Sequence, residues 1–169
     1  MKTVDQLINE AIEREGDYSH HPADRGGPTR FGVTEQVARA NGYAGDMRSF
    51  PRDRAVAIYR ATYWTRPAFD QVAAVSFLVA SELFDTGINM GVIVAGGFLQ
   101  RALNALNRGA VDYPDLLVDG QVGPVTIFAL NAVRNIKPVY LKTARVMRLT
   151  PLQAMRESFM LTIGHFWSL

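Results

Sequence analysis

Between Gly16 and Gly32 the chain also carries Pro22, Gly26, Gly27 and Pro28, and no helix can pass through such a stretch. This limits the architecture more than any other feature, because nearly everything around it is patterned for helix. Thr3 and Gln6 have the spacing of a capping box, and Val4, Leu7, Ile8, Ala11 and Ile12 recur at helical intervals. The first helix is therefore expected to run to about Glu15, with Gly16 as its stop. The turn-rich residues 17–33 leave room for short β-hairpin pieces and nothing longer.

Downstream the helical pattern resumes. Thr34 is placed to cap a short helix to about Asn41, and Pro51 opens another with Ala55, Ile58, Tyr59 and Thr62 on one side. Pro67 interrupts before Phe69. Residues 71–84 are apolar on nearly every face, which predicts one central buried helix. From about Met90 to Arg108, Val92, Ala95, Leu99, Ala102, Leu103 and Leu106 share a face. Residues 119–126, DGQVGPVT, read as a turn feeding a helix, with Pro124 in its first turn. Two further helices are expected at about 138–149 and 151–164. The expectation is a mainly α domain, a helical bundle around a central buried helix with one small hairpin or irregular excursion.

A length of 169 residues suits a single domain with a proper core, and the absence of cysteine excludes disulfides and thiolate chemistry. The N-terminus has no uninterrupted apolar run, so a cleavable signal is not expected. The most apolar window, 72–99, is broken by Glu82, Asp85 and Asn89 and reads as two buried helices rather than a membrane span. Net charge is only +2, yet between Gly120 and Arg156 there is no acidic residue. Lys142, Arg145 and Arg148 recur there as a stripe that either faces solvent or engages an anionic wall or membrane surface.

The excursion itself carries the chemistry. Glu15 ends the first helix, and Asp24 follows in a loop rich in backbone donors. A carboxyl at a helix C-terminus is held toward its protonated form, whereas one among backbone N–H groups ionises readily. Two carboxyls in unlike surroundings divide into acid and base roles, as glycoside hydrolysis requires. Thr29 could orient a water. The plain alternatives are a solvated Glu15 and an Asp24 that caps a turn. His20 and His21 near Asp24 do not form a metal-ligand pattern, so no metal and no cofactor are expected.

These residues resemble a known family. Glu15-Gly16-Asp17-Tyr18, then Pro22, Asp24, Gly26-Gly27, Thr29 and Gly32-Val33-Thr34, are similar to the E-G-G-Y…D-x-G-G-x-T-x-x-G-[IV]-T signature. That signature marks the lysozyme-like N-acetylmuramidases of glycoside hydrolase family 108, found in phage endolysins and bacterial secretion activators. Tyr63-Trp64, Pro67 and Phe69-Asp70 resemble its Y-W-x-x-P-x-F-D stretch. Asp85, Asn89, Gly91 and Leu99-Gln100 resemble D-x-x-x-N-x-G…L-Q. Asp119-Gly120, Gly123-Pro124 and Thr126 resemble the turn of the peptidoglycan-binding segment that follows.

The resemblance implies a lysozyme-like α+β fold, with residues 1–108 as the catalytic part and 109–169 as a wall-binding-like helical part packed on it. It implies cleavage of the β-1,4 bond between N-acetylmuramic acid and N-acetylglucosamine. Glu15 takes the catalytic acid's place, with Asp24 and Thr29 beside it. Tyr18, Tyr63, Trp64, Asp85, Asn89 and Gln100 are candidates for sugar contacts, with Tyr63 and Trp64 expected to point different ways and Asp85 able to brace Asn89. Asp17 stands where the family has a second glycine, so its charge either acts on Glu15 or faces solvent.

The implied partner is bacterial peptidoglycan, reached from the host cytoplasm through a holin-type pore or another route, by a protein expected to be a monomer. A lytic transglycosylase and a non-catalytic wall-binding module are the alternatives; no nucleic-acid motif is present. The sequence leaves inverting and retaining chemistry open, since that depends on the distance between the two carboxyls.

Overall fold

The computed structural model describes residues 2–20, 27–107, 110 and 112–133. Asp24, the helices expected at 138–149 and 151–164, and the stripe of Lys142, Arg145 and Arg148 lie outside the described residues. The chain divides into two compact units, Met1–Asp70 and Gln71–Leu169.

In the first unit, α1 spans Val4–Glu15. Its capping box is complete: the Thr3 hydroxyl accepts from the Gln6 N–H at 3.3 Å, and the Gln6 side chain accepts from the Thr3 N–H at 2.8 Å. Ile8, Ala11 and Ile12 are buried, on the face that meets a later helix, α3 (Arg52–Arg60). Each of the two isoleucines contributes roughly 1.5–3 kcal/mol by leaving water. Gly16, at φ +83°, turns the chain off the helix axis.

Three two-residue strands follow: β1 (Tyr18–Ser19), β2 (Thr29–Arg30) and β3 (Val33–Thr34). They form an antiparallel sheet in that order, with Tyr18 opposite Arg30, Ser19 opposite Thr29, and Thr29 opposite Thr34. Phe31 and Gly32 join β2 to β3, both at positive φ (53° and 73°), the backbone of a type I′ hairpin turn. Gly32 adopts this freely. Phe31 does not, and its N–H is tied down to the Asp17 carbonyl at 2.8 Å. Thr34 ends β3 and caps α2 (Glu35–Ala40) with its hydroxyl.

A 3₁₀ turn, Met47–Ser49, is capped by Asp46, and Phe50 beyond it is buried with its ring edge-on to Tyr43 at 4.9 Å. α3 then runs into a π-helical turn, Ala61–Thr65. A wider turn rotates the side chains that follow it relative to an α-helix. Trp64 is buried, while Tyr63 is half-buried with its ring 5.4 Å from that of Tyr59. Adjacent residues on a helix point apart, as the sequence implied.

One expectation is corrected in the second unit. Residues 71–84 are not one helix. Ser76 leaves helical geometry (φ −152°, ψ 106°) and its hydroxyl accepts from the Val79 N–H, so α4 (Phe69–Val75) ends and α5 (Phe77–Met90) begins there. Nor is α5 buried all round: it buries Ala80, Leu83, Phe84 and Gly87, but Leu78 is 46% exposed. Among the described residues no helix is long and apolar enough to cross a membrane.

Gly91, at φ +96°, links α5 to α6 (Val92–Leu106), and these two helices pack together through residues such as Phe84, Ala95, Leu99 and Leu103. Gln100, Asn104 and Asn107 lie on one side of α6 at helical spacing and hold the segment that follows it. Asn104 exchanges two hydrogen bonds with the Leu116 backbone, at 2.8 and 2.7 Å. Asn107 bonds the backbone N–H and C=O of Tyr113, whose own hydroxyl donates to the Leu103 carbonyl at 2.6 Å. Residues 124–133 are helical, with Pro124 at the start as expected. The observed class is mainly α with a small antiparallel sheet.

Candidate active site

Glu15 stands at the junction of α1 and the sheet. Gly16 ends the helix, so the Glu15 side chain is the last that α1 presents before the chain turns into β1. The side chain is exposed. Its stem is nonetheless gripped. A Cβ built on Gly32 would stand 2.9 Å from Glu15 Cγ, 3.1 Å from Glu15 Cβ, and in collision with the Tyr59 hydroxyl. Gly32, Glu15 and Tyr59 therefore meet at van der Waals distance at the hairpin tip, and only glycine satisfies both the turn's φ and the space.

Tyr59, delivered by α3, is buried. Burial pushes its phenol up to about 12, and the negative charges of Glu15 and then Tyr63 push the same way. The phenol is thus a neutral O–H group beside the Glu15 side chain at any physiological pH. Neither Gly32 nor Tyr59 stood out as a site residue in the sequence. The one was a motif glycine and the other a helix-face aromatic, and only the folded chain puts them on Glu15.

The other expected residues are distributed as follows. Thr29 is half-buried in the middle strand, and its hydroxyl donates to the Gly27 carbonyl at 3.4 Å. Tyr18 lies on the edge strand, 36% exposed, with the Arg48 guanidinium 5.8 Å from its ring centre. Asp17 does not simply face solvent: it pairs with Arg30 Nε at 2.9 Å, so its charge is answered across the β1–β2 pair. Trp64 is part of the core.

Asp85, Asn89 and Gln100 belong to the second unit. Asp85 and Asn89 are exposed near the end of α5, where the Asn89 amide donates to the Asp85 carbonyl at 2.8 Å and approaches its carboxylate at 3.5 Å. Gln100 has a different role from the sugar contact expected of it. It is 2% exposed, its amide donates to Asp119 at 2.8 Å and to the Gln121 carbonyl at 3.0 Å, and its carbonyl accepts from the Gly120 N–H at 2.8 Å. The same contacts hold the Asp119 carboxyl below the usual range: first the Gln100 hydrogen bond, then that from the Gln121 N–H. Gly120 also packs backbone to backbone on Gly96 of α6. The L-Q and D-G-x-x-G-P-x-T motifs are thus two halves of one structural joint. Among the described residues no cluster of His, Asp and Glu could hold a metal ion.

Residues 8–91 match the model of a family described as Glycosyl hydrolase 108. Among solved structures the chain is similar to "Structure of Brucella abortus SagA", at 22% identity and a TM-score of 0.53, with 92% of each chain covered. At that identity the likeness shows a common fold. No curated protein matches the sequence significantly.

Proposed function

The chain belongs, through residues 8–91, to the glycosyl hydrolase 108 family, and on that premise we propose that it is a peptidoglycan hydrolase acting as a muramidase. The bond cut is the β-1,4 linkage between N-acetylmuramic acid and N-acetylglucosamine. Glu15 is the general acid that protonates the departing glycosidic oxygen. The observation that carries this reading is the grip on Glu15: an exposed carboxyl whose stem is fixed by Gly32 and by the buried Tyr59. A general acid works only when its proton is aimed, and a misplacement of about 1 Å costs on the order of a hundredfold in rate.

Thr29, on the strand opposite Ser19, and Asp24 are the groups proposed to handle water on the far side of the sugar. Tyr18 and Tyr63 offer aromatic faces to the glycan. The residues that follow α6 form the wall-binding part. The route to the wall is release from the host cytoplasm through a holin-type pore or a comparable exit.

The test is mass spectrometry of the fragments released from purified peptidoglycan. Wild type should release muropeptides with reducing N-acetylmuramic ends. Glu15→Gln, with an unchanged circular dichroism spectrum and melting temperature, should lose about 10²- to 10⁴-fold in rate. Products ending in 1,6-anhydro sugars would replace hydrolysis by transglycosylation. Full activity in Glu15→Gln would refute the assignment of the acid.

A further inference from the structure

Over the Tyr18 ring lies a positive charge that the reaction does not use. The arginines around the sheet are mostly neutralised. Arg30 pairs with Asp17 at 2.9 Å, Arg39 with Glu35 at 2.6 Å, and Arg60 with Asp5. Arg48 is different. Its guanidinium lies 5.8 Å from the centre of the Tyr18 ring and has no carboxylate partner among the described residues. Its backbone is fixed on both sides: its N–H donates to Asp46 at 2.8 Å, and its carbonyl accepts from Arg30. The neighbouring Met47 is 2% exposed, which anchors the turn in the core. A rigid turn therefore holds an exposed, unpaired guanidinium against an aromatic ring.

That ring sits three residues after Glu15, so it lies within roughly 10 Å of it along the chain. Tyr18 is held in register by its pairing with Arg30, whose own charge is already spent on Asp17. A guanidinium over an aromatic face keeps N–H groups with which it can form paired hydrogen bonds to a carboxylate. Along the glycan of peptidoglycan the lactyl carboxyl of each stem-bearing N-acetylmuramic acid is taken up in the amide bond to its peptide and offers no such anion. The peptide stems do, in their free carboxylates.

We propose that Arg48, seated on Tyr18, is a specificity site for peptide-stem carboxylates, so that the protein prefers walls carrying them over the same walls with those groups capped. This rests on the muramidase reading for its substrate, but the binding arm of the test does not need catalysis. The probe is purified peptidoglycan, either native or with its carboxyls converted to amides by carbodiimide coupling. Pelleting assays use Glu15→Gln and the double variant Glu15→Gln/Arg48→Gln, and rates use wild type, Arg48→Gln and Arg48→Lys.

Glu15→Gln should bind native wall about 3- to 10-fold more tightly than the double variant, and the two should bind amidated wall equally. In rate measurements Arg48→Gln should raise KM on native wall by a similar factor with kcat unchanged, and Arg48→Lys should recover part of it. Equal weakening on both walls would show that Arg48 only steadies Tyr18 and would overturn the proposal. So would equal binding of native wall by the two proteins. An inactive wild type that still shows the binding difference would sink the muramidase reading and leave the carboxylate site standing.

Discussion

Replacing Gly32 by alanine tests the geometry of the site most directly. Two costs add. The first is conformational: at φ +73° an alanine pays roughly 1–2 kcal/mol that glycine does not. The second is steric. The new methyl would lie 2.9 Å from Glu15 Cγ and would overlap the Tyr59 hydroxyl. Glu15 is exposed and yields only by losing the position that Gly32 and Tyr59 give it, whereas Tyr59 is buried at 4% exposure and cannot yield. Overpacking a fixed neighbour costs about 1–3 kcal/mol. The sum is about 2–5 kcal/mol of lost stability. The relief that does occur moves the Glu15 carboxyl, and a shift of about 1 Å costs roughly a hundredfold in rate.

The control is Gly42→Ala. Gly42 has nearly the same φ, +76°, with nothing within 4 Å of the added methyl, so only the conformational cost applies and activity should survive. Urea denaturation gives the stabilities, and turbidity clearance of a peptidoglycan suspension gives the rates. If Gly32→Ala matched Gly42→Ala in both, the packing of the hairpin tip on Glu15 and Tyr59 would be refuted.

Further expectations concern stability. Tyr59 and Tyr113 are both pushed up to about 12, so between pH 10 and 12 the unfolded chain releases protons that the folded one retains. Stability is therefore full below pH 10 and falls as pH rises toward 12; urea midpoints at pH 9 and pH 11.5 should show it, and less steeply in Tyr59→Phe. Gln100→Leu strands Asp119 and the Gly120 N–H and Gln121 C=O without their partner, and should cost about 2–4 kcal/mol, read as a lowered melting temperature with wall-binding reduced. Asp119 itself is held low, so its contribution is present at neutral pH and disappears as pH falls through its lowered value; Asp119→Asn should flatten that acid limb. Asp17→Ala breaks an exposed pair and should change stability by less than about 1 kcal/mol while leaving activity near wild type.

The boundaries of the elements were legible in the chain itself. Thr3 with Gln6, Thr34 before α2, Gly16 after α1 and Pro124 at the last described helix are signals between residues a few positions apart, and the backbone obeys them wherever the segment ends up. Glu15 as the acid candidate came from the same local logic. Where local signals competed the outcome changed: the apolar run 71–84 outweighed Ser76 on paper, but the serine hydroxyl offered a cap and the helix broke there. What the linear order does not contain is the meeting of positions far apart in it. Gly32 and Tyr59 converge on Glu15 only because α1 packs on α3 and the hairpin tip at Gly32 reaches both side chains. Gln100 became a joint rather than a sugar ligand because α6 buries it against the 119–126 turn. Contacts of that kind depend on the path of the whole backbone and on which faces are left to fill, so they were decided by tertiary packing alone.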